Sequence, residues 1–345
     1  MLKSYIFHKF HPLPPATLDN IDMEFTNNKK LSFFDPHFHV WDASDKDVSK
    51  SGHDAIVLFK PKDNPIYGSK EYEEEFKAAE EKYDVIHEGG IFLEAMSVCF
   101  PNTAAGAELV DLYRKELTWA KKTLIGDSKK KYLFIPSASL EDPNIIEYLI
   151  ELKNTYLVRG IRQIVNYEPS WPRNEMLGNL FDNGNFEKGF ELLGLHNLSF
   201  DMQLNPHQYD QAIKLIKTYP KTQVIINHLG TPTLEDLKDE IKKETFWNGM
   251  KQFAALDNVS IKISMLCYID PNWDENELVV NAVYEIISLF GFKRCAFASN
   301  YPVDSKDEWE SERLFKAFEK ITKDKYSLEE RAMLYGGAAK SMYRL

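Results

Sequence analysis

Eight short runs, apolar and rich in β-branched and aromatic residues, recur along this chain, with longer segments of helical periodicity between them. They are LSFFDPHFHV (31–40), GIFLEAMSV (90–98), YLFIPSASL (132–140), VRGIRQIV (158–165), LSFDMQL (198–204), TQVIINHL (222–229), VSIKISML (259–266) and RCAFAS (294–299). Strands that alternate with helices pair in parallel and are covered on both faces, so their sequences stay apolar throughout. Eight is the number that closes a (β/α)8 TIM barrel, and that α/β fold class is the expectation. The helical patterns fall at 102–122, 142–155, 185–194, 207–218, 234–254, 275–290 and 307–322, with a last one near 327–343. Asn102-Thr103 and the Ser327…Glu330 capping box mark helix starts.

A length of 345 residues suits one barrel domain over 31–345 behind an N-terminal extension over 1–30. Two stretches exceed a bare barrel and distort it: an insertion of about 43–89 between strands 1 and 2, with the run SKEYEEEFKAAEEKYD, and the irregular 166–184. Both follow strand C-termini, where barrel enzymes build their sites, so functional lids or flexible insertions are expected there.

The formal charge is −11 and no basic tract interleaves with aromatics, which argues against nucleic acid. Cys99, Cys267 and Cys295 form no CxxC pair, so a reducing compartment is expected. Neither a signal-type apolar region nor a stretch near the roughly 20 apolar residues of a membrane span appears, and the cytoplasm is the expected location. A small-molecule substrate is the expected partner; self-assembly into a homo-oligomer stays open.

The chemistry centres on Phe33-Phe34-Asp35-Pro36-His37-Phe38-His39-Val40-Trp41-Asp42. Alternate residues of a strand share a face, so His37 and His39 can present two imidazoles to one ion, with Asp35 to orient a ring. By spacing alone, a ligand pair and two structural histidines stand level. His207 in MQLNPHQ and His228 in VIINHLG add two more histidines where apolar strands give way to loops.

These motifs, together with VRGIRQ at strand 4 and ASNYPVD at strand 8, resemble the amidohydrolase-2 family over about 32–343. That family includes sugar-lactone lactonases, the 2-pyrone-4,6-dicarboxylate lactonase and, more distantly, decarboxylases of the aminocarboxymuconate-semialdehyde type. The resemblance implies a divalent ion, zinc or manganese, on His37, His39 and His207, with metal-independent members also known. It gives His228 and the strand-8 residue roles in activating water. Many members carry an Asp there as general base, whereas this chain has Asn300, a neutral amide that cannot take a proton. Asp304, four residues on, and His228 are the alternative bases.

Arg159 and Arg162 face opposite sides of strand 4, and Arg162 is expected to point inward to grip a carboxylate. Lys262 and Glu94 each interrupt an apolar strand; either could contact substrate, or the two could pair. Trp41 and Tyr301 are expected to wall the pocket, as Tyr167 and Trp171 could. The leading expectation is hydrolysis of a small lactone or related ester or amide. Non-oxidative decarboxylation of an aromatic or muconate-like acid and a metabolite-binding barrel without turnover are the alternatives. No GxSxG, GxGxxG or GxxxxGK[ST] is present, which disfavours a serine esterase and nucleotide chemistry.

Overall fold

The computed structural model describes residues 30–42, 66–95, 105–126, 128–169 and 178–345. Eight parallel strands form the centre: β1 Leu31–Phe38, β2 Val85–Leu93, β3 Lys131–Ile135, β4 Gly160–Ile164, β5 Ser199–Gln203, β6 Val224–Ile226, β7 Val259–Ile263 and β8 Cys295–Phe297. They pair as a three-stranded and a five-stranded set in chain order. The sets meet at both seams, through bridges Phe134–Val158 and Ser137–Arg162 between β3 and β4, and Phe38–Tyr301 between β1 and the end of β8. At the second seam Asn300 N donates to His37 O at 2.8 Å and His39 N to Tyr301 O at 2.8 Å. The expected TIM barrel is the fold.

The runs form strands because residues on both faces are buried: Phe33 and Phe34, Ile261 and Lys262, Val224 and Ile225 are all fully enclosed. Side chains such as Phe33, Phe200 and Ile261 pack outward under the helices. Phe34, Leu133, Ile225 and Ala296 fill the interior with Ala338, Ala339, Met342 and Tyr343 of the C-terminal segment. Gly336 lies against Ser32 and Phe34 at the start of β1, so this segment closes the end of the barrel opposite the strand C-termini.

Several boundaries differ from the sequence expectation. The second strand starts at Val85, five residues before the expected GIFLEAMSV run, and its register against β1 shifts at Gly89, where a φ of 127° and a Cβ site 1.9 Å from Lys131 O admit only glycine. The charged run expected within a lid or flexible insertion is instead a helix pair, Ser69–Glu75 and Lys77–Lys82, the first helical layer of the barrel. It buries Tyr72, Phe76 and Ala79, spaced i, i+4, i+7, against β1 and β2. The remainder of that insertion, 43–65, lies outside the described residues, as do Cys99, Asn102-Thr103, Trp171 and nearly all of the 1–30 extension. The helix expected over 234–254 is two, because the Asp239 carboxylate caps a new start by accepting from Ile241 N and Lys242 N. The last helix is interrupted by a π-helical turn at Met333–Gly337, while its Ser327–Glu330 capping box forms as expected. Among the described residues no helix is long and apolar enough to cross a membrane.

Candidate active site

The strand C-termini converge on a buried group of imidazoles. His37 at the end of β1 and His39 just beyond it have ring centroids 5.0 Å apart, so the alternate spacing places both at one site. His228, just beyond β6, is the third, 4.4 Å from His37. The chain reaches this position through left-handed backbone at His228, Leu229, Gly230 and Thr231. Three of these are not glycine, a conformation costing about 1 kcal/mol or more each that persists only where neighbours fix it. Here Thr231 N donates to His228 O at 2.7 Å, and Tyr209 Oη donates to Gly230 O at 2.7 Å. The strain turns the His228 ring inward, where Nδ1 meets Ser264 Oγ at 2.9 Å.

Burial sets the protonation of all three rings. Desolvation holds His37 and His228 well below the ordinary histidine range and His39 at about 3, with the nearby Arg162 cation adding to each. Burial therefore favours the neutral ring in each. His39 Nδ1 lies 3.1 Å from the carbonyls of both Leu93 and Glu94, which fixes that nitrogen as the N–H.

Arg162 points inward, as expected, but it does not wait for a substrate carboxylate. Its Nε donates to Glu94 Oε1 at 2.5 Å, Nη2 to Glu94 O at 3.1 Å and Nη1 to His37 Nε2 at 3.2 Å. With Nε2 accepting, the proton of neutral His37 sits on Nδ1, which is buried and without a hydrogen-bond partner among the described residues. Glu94 is held in turn by Ser137 Oγ at 3.3 Å.

Lys262 pairs with Asp201 of β5, not with Glu94. The Asp201 carboxylate accepts from Lys262 Nζ at 2.5 Å, Asn227 Nδ2 at 2.9 Å and Tyr343 Oη at 2.7 Å, so all its lone pairs on that side are satisfied. Burial lowers Lys262 to about 8 despite this partner. Its expected contact with substrate is replaced by an ion pair under the histidines, completed by the residue that closes the far end of the barrel.

Asp35 binds backbone and hydroxyls, not an imidazole. It accepts from His37 N at 3.2 Å, Ser299 N at 3.0 Å, Ser299 Oγ at 2.5 Å and Tyr72 Oη at 2.8 Å. It thereby fastens β1 to the segment carrying Asn300; burial raises it to about 6.

Beyond β8, Asn300 has a φ of 56° and is buried. Its amide bonds to His39 on one side and, through Nδ2, donates to Asp304 Oδ1 at 2.7 Å on the other. Asp304, four residues later, is 3% exposed, so its carboxylate is enclosed and held by Asn300.

Three expected site residues are placed elsewhere. His207 is exposed on the rim, its Nε2 3.1 Å from Tyr167 O. The turn chemistry explains this: Asn205 and Gln208 form a capping box around Pro206–Gln208, so Gln208 turns inward and His207 outward. Gln208 Nε2 donates to Val165 O at 2.8 Å and its Oε1 accepts from Tyr167 N at 3.1 Å, tying β5 to the loop after β4. Tyr301 is fully buried and donates its hydroxyl to Trp309 O at 2.8 Å, which makes it packing beneath the site. Trp41 is 1% exposed and packs on Tyr67, with centroids 5.7 Å apart.

The donor chemistry does not fit a divalent ion on His37, His39 and His207. A guanidinium occupies the His37 Nε2 lone pair, the Lys262 ammonium adds positive potential, and His207 lies outside the cluster. Among the described residues no group of three or more His, Cys, Asp or Glu is placed to hold a metal. Ser264, Asp201, Asn227 and Tyr343 are site supports that sequence reasoning missed; an Asp inside the apolar SFDMQ run was the available signal for one of them.

Comparison with known proteins agrees with this architecture. The chain is 31% identical over 209 residues to "Uncharacterized protein y4mH" of Sinorhizobium fredii, covering 60% of this chain and 68% of that protein. An amidohydrolase from Burkholderia multivorans superimposes with TM-score 0.69 at 19% identity in a form with bound HEPES, and 0.68 at 18% with bound zinc, covering 91% of this chain and 99% of that one. A probable 2-pyrone-4,6-dicarboxylic acid hydrolase from Acinetobacter baumannii, with citric acid bound, gives 0.62 at 16% over the same shares. These structural likenesses are likenesses of fold. The family model described as Amidohydrolase matches residues 34–345, from the start of the histidine motif to the C-terminus, and the chain belongs to the amidohydrolase family, an enzyme of that hydrolase superfamily.

Proposed function

We propose that this enzyme hydrolyses a small lactone, with Asp304 as the general base and the His37–Arg162 pair as the electrophile. The observation that carries the reading is the 2.7 Å bond by which Asn300, whose amide also meets His39, holds the enclosed Asp304 carboxylate. A carboxylate can take the proton of an attacking water, which the Asn300 amide cannot. The lactone carbonyl oxygen accepts from the spare His37 Nδ1–H, on a ring that Arg162 polarises by donating to Nε2.

The water oxygen bonds to the carbonyl carbon as its proton passes to Asp304. The tetrahedral oxyanion is held by the same donors. Its collapse breaks the ring C–O bond, and the departing alkoxide takes the proton back, leaving an open hydroxy acid. Membership of the hydrolase superfamily supports this reaction type. Non-oxidative decarboxylation gains less support, since it needs a cation free to hold the substrate acid, and Arg162 and Lys262 are both paired.

The test is ring opening of a panel of lactones by the purified enzyme, followed as proton release, with evolved carbon dioxide measured from aromatic and muconate-type acids alongside. Acid release that disappears in His37→Ala/His39→Ala is the expected result. Carbon dioxide without acid release would establish the other chemistry, and saturable binding without either product would make this a binding barrel.

A further inference from the structure

We propose that the helix Ser69–Glu75 clamps the segment that carries the general base, and that Tyr72 and Glu75 are positioning residues for Asp304; the inference rests on the role given to Asp304 above. β8 is only three residues long, and its bonding to β7 ends where Ala298 N donates to Ile263 O at 3.1 Å. Asn300 then turns into left-handed backbone, φ 56°, and the chain passes through a short 3-10 turn, Asp304–Asp307, to the helix Ser311–Thr322. The place of Asp304 is therefore set by this turn and by what packs against it.

One turn of the helix Ser69–Glu75 and its C-cap supplies three contacts to that segment. Tyr72, Glu75 and Phe76 stand at i, i+3 and i+4, so they share a face. Tyr72 Oη donates to Asp35 Oδ2 at 2.8 Å, and Asp35 accepts from Ser299 N at 3.0 Å and Ser299 Oγ at 2.5 Å, which grips the chain one residue before Asn300. The Phe76 ring packs on Tyr301, with centroids 5.6 Å apart. Ser305 Oγ donates to Glu75 Oε1 at 3.2 Å, one residue after Asp304. The Asn300–Asp304 unit is thus held at both ends from a single helix face.

Tyr72 also faces the other half of the site. Its ring stacks on Phe38, the residue between His37 and His39, with centroids 3.9 Å apart and planes 12° from parallel. One side chain therefore braces both the strand that carries the electrophile and the segment that carries the base. Tyr72 is fully buried and acts through Asp35, and Glu75 acts through Ser305. A base displaced by about 1 Å can cost on the order of 10²-fold in rate, so a loosened clamp lowers kcat and leaves substrate binding nearly intact.

The experiment compares wild type, Tyr72→Phe, Glu75→Ala and the double variant in two assays. Tyr72→Phe keeps the ring on Phe38 and removes only the hydroxyl. Proton release from the lactone that wild type opens best gives kcat and KM. Hydrogen exchange reads the amides bonded within the segment: Val303 N and Asp304 N on Asn300 O, at 2.9 and 3.2 Å, and Trp309 N on Asp304 O, at 3.2 Å. In the double variant kcat is expected to fall about tenfold or more with KM within about twofold. These three amides should exchange faster, while those of β5 and β7, across the barrel, keep the wild-type rate.

A folded double variant with wild-type kcat, or with unchanged exchange at these amides, would overturn the inference. Exchange that rises equally throughout the barrel would also overturn it, since that is the signature of a merely structural role. If wild type opens no lactone, the hydrolase reading fails, and hydrogen exchange alone decides whether the helix clamps the segment. Should the double variant not fold, Glu75→Ala, which removes only a part-buried contact, decides by the same readouts.

Discussion

Asn300 donates its amide N–H to Asp304 across 2.7 Å, so the two residues work as one unit in which the amide occupies the usual carboxylate position and the carboxylate stands behind it. An Asn300→Asp change would not fill a vacancy; it would set two carboxylates in contact, which cannot both ionise cheaply. The variant is expected to lose about tenfold or more in kcat, with its pH optimum moved upward as the shared proton is held more tightly. The pH–rate profile of the variant checks this.

The Lys262–Asp201 pair predicts a stability effect separate from chemistry. Lys262→Met leaves Asp201 buried with only Asn227 and Tyr343 as partners, and should destabilise the fold by about 3–5 kcal/mol. Lys262→Met/Asp201→Asn should cost much less than the sum of the single changes, a coupling that denaturant titration of the cycle measures.

The same lysine gives a pH dependence. Its pKa falls to about 8 in the folded protein from the ordinary 10.5, so between those values the unfolded chain binds the extra proton. Stability contributed by this group therefore rises with pH through that window, by on the order of 3 kcal/mol in full, and is flat below it. Wild type should gain stability between pH 7 and about pH 9.5 relative to Lys262→Met, which lacks the titrating group; parallel pH curves for the two would contradict the assignment.

Much of this was legible before any coordinates. The period-two spacing of His37 and His39 placed both rings at one point, and eight buried runs gave the barrel. Lys262 and Glu94 announced themselves as charges inside apolar strands, but their partners depended on side-chain reach across the barrel interior, which periodicity does not encode. The resemblance puts His207 in the site, whereas the Asn205–Gln208 capping box beside it turns that ring outward. The charged run near 70–83 concealed a helical stripe, Tyr72, Phe76 and Ala79, beneath its glutamates. The inward turn of His228 rests on consecutive left-handed residues, and of those only Gly230 advertises that conformation.

Metal removal separates this account from a metal-activated hydrolase. With the His37 Nε2 lone pair engaged by Arg162, lactone hydrolysis should survive exhaustive chelation with kcat/KM unchanged within about twofold. Loss of activity restored by zinc or manganese would show that Arg162 yields the imidazole to a cation.

The most direct test of the central claim is the rate of ring opening of the best neutral lactone by Asp304→Asn, measured as proton release beside wild type, with folding verified by thermal denaturation. If Asp304 is the base, kcat should fall by about 10²–10⁴-fold, with KM changed far less. A folded Asp304→Asn variant that retains wild-type kcat would contradict the account, because another group would then be taking the proton of the attacking water.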